Sequence, residues 1–164
     1  MKKAFTMIEL IFVIVILGIL AAVALPKFIG VSSQAHEANL KSFVGTLNRT
    51  VGPTLWSKAV SKNGDGNITK LTDVNISDYI DLPKEIDTST IDWDLSSCES
   101  ASQYTAVIKA NKSVAGDDYG VFCKNGTANH APSFRLYKGS VTVGSTTAAE
   151  NNNSCLAGPG CTGQ

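Results

Sequence analysis

The chain has 164 residues, with 14 Lys and Arg against 14 Asp and Glu. This length suffices for one globular domain with an appendage and is short for two independent cores. When Lys2, Lys3 and Glu9 of the N-terminal segment are set aside, 12 bases and 13 acids remain. That balance excludes the basic field which nucleic-acid binding needs, so no nucleic-acid partner is expected.

The first predicted element is an apolar helix near the N-terminus. Sixteen residues from Leu10 to Leu25 carry no charge, and twenty-one residues counted from Phe5 would form a helix about 31 Å long. This length matches the hydrocarbon core of a bilayer, so the sequence predicts a membrane-spanning helix over residues 5–26. Two lysines precede it, and positive flanks stay in the cytoplasm. We therefore expect a single pass through the bacterial inner membrane, with the remaining chain in the periplasm.

A carboxylate, Glu9, lies inside this apolar stretch. A charge costs about 2.5–3.5 kcal/mol at the bilayer centre and less near the interface. One interpretation is that Glu9 snorkels to the headgroups, and another is that a positively charged partner stabilises it. A secretory signal cleaved near Ala24 is a third interpretation, although such a signal has an apolar core of only about 7–15 residues.

The residues AFTMIEL at positions 4–10, followed by the apolar helix, resemble the N-terminal signature of type IV prepilins and type II secretion pseudopilins. The resemblance implies that a membrane-bound prepilin peptidase removes a leader of residues 1–4 by cutting between Ala4 and Phe5, and methylates the new amino group. Ala4 stands where that family almost always has Gly. Alanine is the next smallest side chain, which leaves two alternatives: acceptance by a tight peptidase pocket, or slow or absent processing.

The same resemblance implies that the protein polymerises with itself and related pilins through this helix. Glu9, with Thr6 beside it, would be the assembly group that meets the charged N-terminus of a neighbouring subunit, after extraction from the lipid bilayer by an inner-membrane assembly platform. The product would be a periplasmic pseudopilus or an extracellular pilus. Gly18 and Pro26 are either tolerated residues of a membrane helix or points where the helix can stretch.

Residues 27–61 are predicted to continue the helix as the amphipathic spine of a head. Apolar residues recur there at helical spacing: Leu40, Phe43, Val44, Leu47 and Val51. Pro53 is expected to kink or end this helix near Thr50, although residues 54–62 could add one or two turns.

Residues 62–164 are predicted to form a loop followed by an antiparallel sheet. Three short segments rich in β-branched and aromatic residues, 104–110, 119–125 and 133–139, predict strands, and 140–144 is a candidate fourth. The first two would form a hairpin. A small sheet packed on a long helix is an α+β fold, here of the pilin-like type.

The four cysteines all follow the membrane segment, on the side where disulfides form. Of three pairings, we favour Cys98 with Cys123 and Cys155 with Cys161, the second closing a C-terminal loop. Zinc is the alternative, but it would need cysteine pairs about two to four residues apart, and no metal site is predicted.

Residues 62–78 contain two further motifs. Asn63, Asp65 and Asn67 have the spacing of a calcium loop, but the sixth and twelfth positions are wrong for an EF-hand. DGNIT (65–69) and DVNIS (73–77) resemble the acidic-extended acceptor of bacterial N-glycosylation, or occur by chance in a polar loop.

Charge is unevenly distributed over the head. Residues 71–99 carry eight acids against one lysine, and residues 100–164 have a small excess of bases. The acidic segment is either a solvated loop or a surface that attracts the next subunit.

For catalysis the sequence offers little. His36 and His130 are the only histidines and are predicted to be ordinary helix and loop residues, and there is no nucleophile elbow, zinc-protease motif or phosphate loop. We therefore expect that the protein is not an enzyme and that it binds no cofactor. The alternatives to a pilin-like subunit are an uncleaved single-pass anchor for a periplasmic sensing or calcium-binding head, and a secreted enzyme with a removed signal.

Overall fold

The computed structural model describes residues 6–146 and 155–161, leaving out the side-chain surroundings of residues 26–30. The chain divides into two compact units, Met1–Ala35 and His36–Gln164. The first is helical from Met7 onward, and the second, the head, contains helices and a sheet. The elements, in chain order, are α1 (Met7–Thr46), a π-helical turn (Leu47–Val51), α2 (Gly52–Asn63), 3-10 turns at Ile68–Lys70, Ile76–Asp78 and Thr88–Thr90, β1 (Thr105–Lys109), α3 (Lys112–Ala115), β2 (Tyr119–Lys124), β3 (Ser133–Lys138) and β4 (Cys155–Ala157).

The α-helical stretch is interrupted just before Pro53, and the further turns that residues 54–62 were expected to add form a separate helix. The π-helical turn stands directly before α2, which places Pro53 in the first turn of a new helix. Proline is tolerated there because the first-turn N–H groups have no intrahelical acceptor. α2 then runs to Asn63 and ends at Gly64, whose left-handed backbone (φ 75°) allows its N–H to donate to the Val60 carbonyl at 2.9 Å.

Within the described residues the sheet has four antiparallel strands in the order β1-β2-β3-β4, which confirms the α+β fold expected from the sequence. The five apolar residues predicted to line the amphipathic helix are all buried, each at most 5% exposed. They form one core with Leu55 and Ala59 of α2 and with residues of one sheet face, among them Val121, Phe134 and Leu136. The spine prediction from residue spacing is therefore confirmed by burial.

The predicted fourth strand at 140–144 is wrong, although its residues do touch the sheet. Gly139 has φ 143°, and beyond it the chain turns back so that Val141 packs on the second face of the sheet with Phe122 and Tyr137. A Cβ on Gly120 would lie 2.5 Å from the Val141 side chain, so this glycine makes room for it. The valines in this segment therefore do not belong to a strand. Val141 instead covers one face of the sheet.

Two other details of the sheet differ from expectation. The β1–β2 pair is antiparallel as predicted, but its connection contains a one-turn helix, α3, which begins after Asn111 and ends at Gly116. The fourth strand is β4, three residues long and paired with β3 through Leu136 and Tyr137. Nothing in its polar surroundings has the strand-like pattern, so sequence reasoning did not find it.

Disulfides join Cys98 to Cys123 and Cys155 to Cys161, the two pairs favoured above. The first attaches the acidic segment to β2, where Cys123 lies opposite Thr105 of β1. The second closes the loop that follows β4. The two bridges span 25 and 6 residues. By the chain-entropy estimate, a bridge that closes a loop in this size range stabilises the fold by roughly 2–4 kcal/mol.

A side-chain amide joins the helical spine to the sheet. Asn48, in the π-helical turn, accepts a hydrogen bond from the Phe134 N–H and donates one to the Phe134 carbonyl, both at 2.9 Å. The same amide nitrogen also donates to the Val44 carbonyl at 2.9 Å. Phe134 is fully buried. The Asn48 amide therefore supplies hydrogen bonds to two backbone groups that cannot form them with water.

We predict that Asn48→Ala destabilises the head by about 1–3 kcal/mol, because it leaves the buried N–H and carbonyl of Phe134 without these partners. Urea unfolding of the full chain in detergent micelles, followed by tryptophan fluorescence, measures this change. Asn129→Ala, in an exposed loop, is the matched control and should change stability by less than about 0.5 kcal/mol. Equal stability of the two variants would contradict the role assigned to Asn48.

Candidate assembly site

The first unit presents an apolar helical surface. Met7–Leu25 is long and apolar enough to cross a membrane, and none of it is buried within the chain. Its large apolar side chains are between 41% exposed, at Ile16, and 78% exposed, at Met7. Burying one such side chain is worth about 1.5–3 kcal/mol. This surface therefore requires cover from outside the chain, by lipid or by other helices.

Glu9 lies in the first turn of this helix and is held by Thr6. The Thr6 N–H and hydroxyl both donate to Glu9 Oε2, at 2.9 and 2.7 Å, and the Glu9 N–H lies 3.4 Å from the Thr6 hydroxyl. This reciprocal arrangement is a capping box, in which the residue before the helix and the third helical residue each satisfy a free N–H of the other. A carboxylate at this end also faces the positive pole of the helix dipole.

The capping box leaves half of the Glu9 carboxylate for another partner. Both strong hydrogen bonds converge on Oε2, and no described residue donates to Oε1. The side chain is exposed, so Oε1 can be reached from outside the chain. Sequence reasoning placed Thr6 beside Glu9 as an assembly residue but did not predict that it caps the helix, although the pattern Thr-x-x-Glu before an apolar run is a recognised helix-start signal.

The other predicted residues of this segment have different outcomes. Ala4 and Phe5, the predicted processing residues, lie outside the described residues. α1 is continuous past residues 18 and 26. An added Cβ at Gly18 would meet nothing within 4 Å, so no close approach within the chain requires glycine there. The stretching role predicted for Gly18 and Pro26 stays a prediction.

Comparison with known proteins identifies this segment. The prokaryotic N-terminal methylation motif matches residues 1–25. The N-terminal segment is therefore similar to that of type IV pilins. The type IV narrow pilus major component PilA5 of Thermus thermophilus is 55% identical over 38 residues, a match that covers 23% of this chain and 33% of that relative. No solved structure matches the chain. The pilin-type motif and the apolar helix together fit a membrane-anchored pilin.

The head offers no metal centre among residues 6–146 and 155–161, where no group of three or more His, Cys, Asp or Glu side chains could hold an ion. Two oxygen donors of the candidate calcium loop are engaged locally. Asp65 forms an ion pair with Lys70 and accepts from the Asn67 N–H, and the Asn67 carboxamide oxygen accepts from Thr69. These contacts close the loop on itself.

One carboxylate, Glu85, lies inside the head with an exposure of 1%. Its Oε1 is 2.7 Å from His36 Nδ1 and accepts from Asn39 Nδ2 at 3.1 Å, whereas no described residue forms a hydrogen bond with Oε2. Burial raises the pKa of the Glu85 carboxyl, but the hydrogen bonds from His36 and Asn39 outweigh it and leave the pKa below its ordinary value. His36, predicted to be an ordinary helix residue, therefore attaches a buried carboxylate to α1.

We predict that Glu85 makes the head less stable in acid. Because its pKa is lowered by folding, its contribution is present above the ordinary carboxyl value of 4.5 and is lost as the pH falls through the folded value. Glu85→Gln should remove that part of the pH dependence. Its stability should lie below the wild type at about pH 7, and the difference should shrink as the pH falls below the ordinary carboxyl value of 4.5.

The measurement is thermal unfolding of the full chain in micelles at a series of pH values. Glu99→Gln, at an exposed position of the same acidic segment, is the control and should follow the wild-type curve throughout. A constant difference between Glu85→Gln and the wild type at every pH would show that the carboxylate does not titrate as stated.

Proposed function

We propose that the chain is a structural subunit of a type IV pilus or a type II secretion pseudopilus, with no catalytic role. The carrying observation is an apolar helix, uncovered by its own chain, whose first turn holds a carboxylate with one oxygen to which no described residue donates. The pilin-type motif at residues 1–25 and the similarity to PilA5 support this proposal. The matched relative is a major pilus component by name.

In this proposal the apolar helix has two successive environments. It first spans the inner membrane, with residues 1–4 in the cytoplasm as a leader and the head in the periplasm. The prepilin peptidase then cuts between Ala4 and Phe5 and methylates Phe5. The assembly platform finally transfers the helix from lipid into a bundle of the same helices, so that apolar surface remains covered at each stage.

Glu9 sets the position of each new subunit. Thr6 already holds Oε2, so the carboxylate keeps a fixed direction while Oε1 receives the charged amine of a neighbouring Phe5. An ion pair is several-fold stronger in a bundle interior than in water because the dielectric constant is lower. Since sliding the helices would leave a charge unpaired among apolar groups, the pair selects one axial register, as a single buried polar group does in a coiled coil.

Processing is tested by the mass of the chain purified from cells that contain the peptidase. We expect loss of residues 1–4 and a gain of about 14 Da for one methyl group. Ala4→Gly should be processed at least as completely, and Ala4→Leu should remain full length because its larger side chain would not fit a tight pocket. An intact Met1 in the wild type would favour the uncleaved single-pass anchor, and a new N-terminus near Ala24 would favour a secreted protein.

The role of Glu9 is tested by Glu9→Gln, which removes the charge but keeps an oxygen that can complete the capping box. We expect normal amounts in the membrane and at least a tenfold loss of sheared filaments, which corresponds to about 1.4 kcal/mol or more. Thr6→Ser retains both the hydroxyl and the charge and should assemble normally. Filament yield is measured by shearing and immunoblotting, and membrane insertion by resistance to alkaline extraction.

Glu9→Ala completes the set because it removes both the charge and the cap. If Glu9→Gln assembles like the wild type while Glu9→Ala does not, assembly needs the helix cap and not the ion pair. Wild-type filament yield in both variants would leave the carboxylate without an assembly role.

A further inference from the structure

Two acceptor-like sequences in the head, DGNIT and DVNIS, have no part in the proposed filament contacts. Each has an acid two residues before an asparagine and a hydroxyl residue two positions after it. A glycan can be attached at an Asn-X-Ser or Asn-X-Thr sequence when the asparagine lies on the surface. The two copies, centred on Asn67 and Asn75, are only eight residues apart but have different surroundings in the structure.

Asn75 is exposed, and so are Asp73 and Ser77 of the same acceptor sequence. The Ser77 N–H and hydroxyl donate to the Asn75 carboxamide oxygen at 3.1 and 2.7 Å, so Asn75 caps the short turn Ile76–Asp78. These bonds use the oxygen only, and no described residue accepts from Asn75 Nδ2. Ile76 is fully buried and its N–H donates to the Trp93 carbonyl at 2.9 Å. The backbone is therefore anchored while the Asn75 side chain is exposed at the surface.

Asn67 is held against the head. Its carboxamide oxygen accepts from the Thr69 N–H and hydroxyl and also from Asn125 Nδ2, the last at 2.7 Å. Asn125 is only 4% exposed, and its own oxygen accepts from the Ile68 N–H at 3.1 Å. Turning the Asn67 side chain outward would therefore break hydrogen bonds of a buried residue, which is costly.

The backbone beside Asn67 is also closely packed. Gly66 has φ 71°, and a Cβ there would lie 2.2 Å from the Thr127 carbonyl oxygen. Asp65, the acid of this acceptor sequence, is ion-paired with Lys70, whereas no described cation pairs with Asp73. A large enzyme and a sugar could not approach this segment without displacing its neighbours. At Asn75 all three recognised side chains are accessible.

We propose that Asn75 is an N-glycosylation site of the folded head and that Asn67 is not. The donor is a glycan linked to a polyprenyl pyrophosphate, and the catalyst is a membrane oligosaccharyltransferase that requires the acid. Asn75 Nδ2 forms a bond to the anomeric carbon of the first sugar as the bond from that carbon to the pyrophosphate oxygen breaks. The lipid pyrophosphate leaves with the electron pair, one Nδ2 proton passes to an enzyme base, and nothing is oxidised or reduced.

The chemistry agrees with the membrane orientation on which the proposed function rests, because this transfer occurs outside the cytoplasm. The test does not depend on that orientation or on filament assembly. Purified, folded full chain in detergent micelles is incubated with an oligosaccharyltransferase of this type and a short polyprenyl-pyrophosphate-linked glycan. Intact mass gives the number of glycans, and mapping of proteolytic peptides gives their positions.

We expect one glycan, with at least tenfold more modification at Asn75 than at Asn67. Asn75→Gln, Ser77→Ala and Asp73→Ala should each lose it, and Asn67→Gln should retain it. The reduced, alkylated and unfolded chain is the comparison, and there both sites should react because no packing protects Asn67. An acceptor peptide containing a separate Asp-x-Asn-x-Thr sequence verifies that the enzyme is active.

Three results would overturn the proposal while leaving the filament role intact. The first is an unmodified Asn75 in the folded chain while the peptide reacts. The second is modification of Asn67 to the same extent as Asn75 in the folded chain. The third is loss of modification in Asn67→Gln with retention in Asn75→Gln.

Discussion

The central physical constraint on this protein is that Met7–Leu25 must be covered by something outside its own chain. Its apolar side chains are at least 41% exposed, and their burial is worth several times the net stability of a typical small domain. Water is therefore not an acceptable environment for the helix. Lipid and a bundle of like helices can both cover it. They differ chiefly in whether they supply a partner for a charged side chain. Glu9 is consequently the residue at which the two environments can be distinguished.

The structure changes the interpretation of Glu9 without removing its cost. Thr6 satisfies one carboxylate oxygen and orients the group, which would reduce the penalty of the charge in an apolar environment. The other oxygen has no donor among the described residues. A carboxylate with no local partner would be hard to keep in lipid, and a fully satisfied one would have no need of a neighbour. The half-satisfied state is compatible with both stages of the proposed assembly.

Much of the fold and the central residue of the site could be predicted, because helical spacing fixed the buried face through Leu40, Phe43 and Leu47, and Glu9 is anomalous by composition alone. The predictions were wrong where tertiary contacts, and not the local sequence pattern, determine the structure. Val141 lies in a strand-like pattern but covers Gly120, and β4 depends on pairing with Leu136. His36 resembled any helical histidine because its partner, Glu85, is 49 residues away. The helix cap formed by Thr6 differs from these cases, because its signal, a threonine three residues before a glutamate, is local in the sequence.

The Cys98–Cys123 bridge encloses β1, α3 and most of β2 in one covalent ring, with the bond at the open end of the hairpin. A tensile force applied along the polypeptide is transmitted through the Cys98–Cys123 disulfide and does not stretch the residues between the two cysteines. The 25-residue span would otherwise supply about 80–90 Å of extended chain. With the disulfide intact, this hairpin therefore cannot be pulled out when the head is under tension. With the disulfide reduced, the hairpin could unfold and the head would lengthen by about that amount.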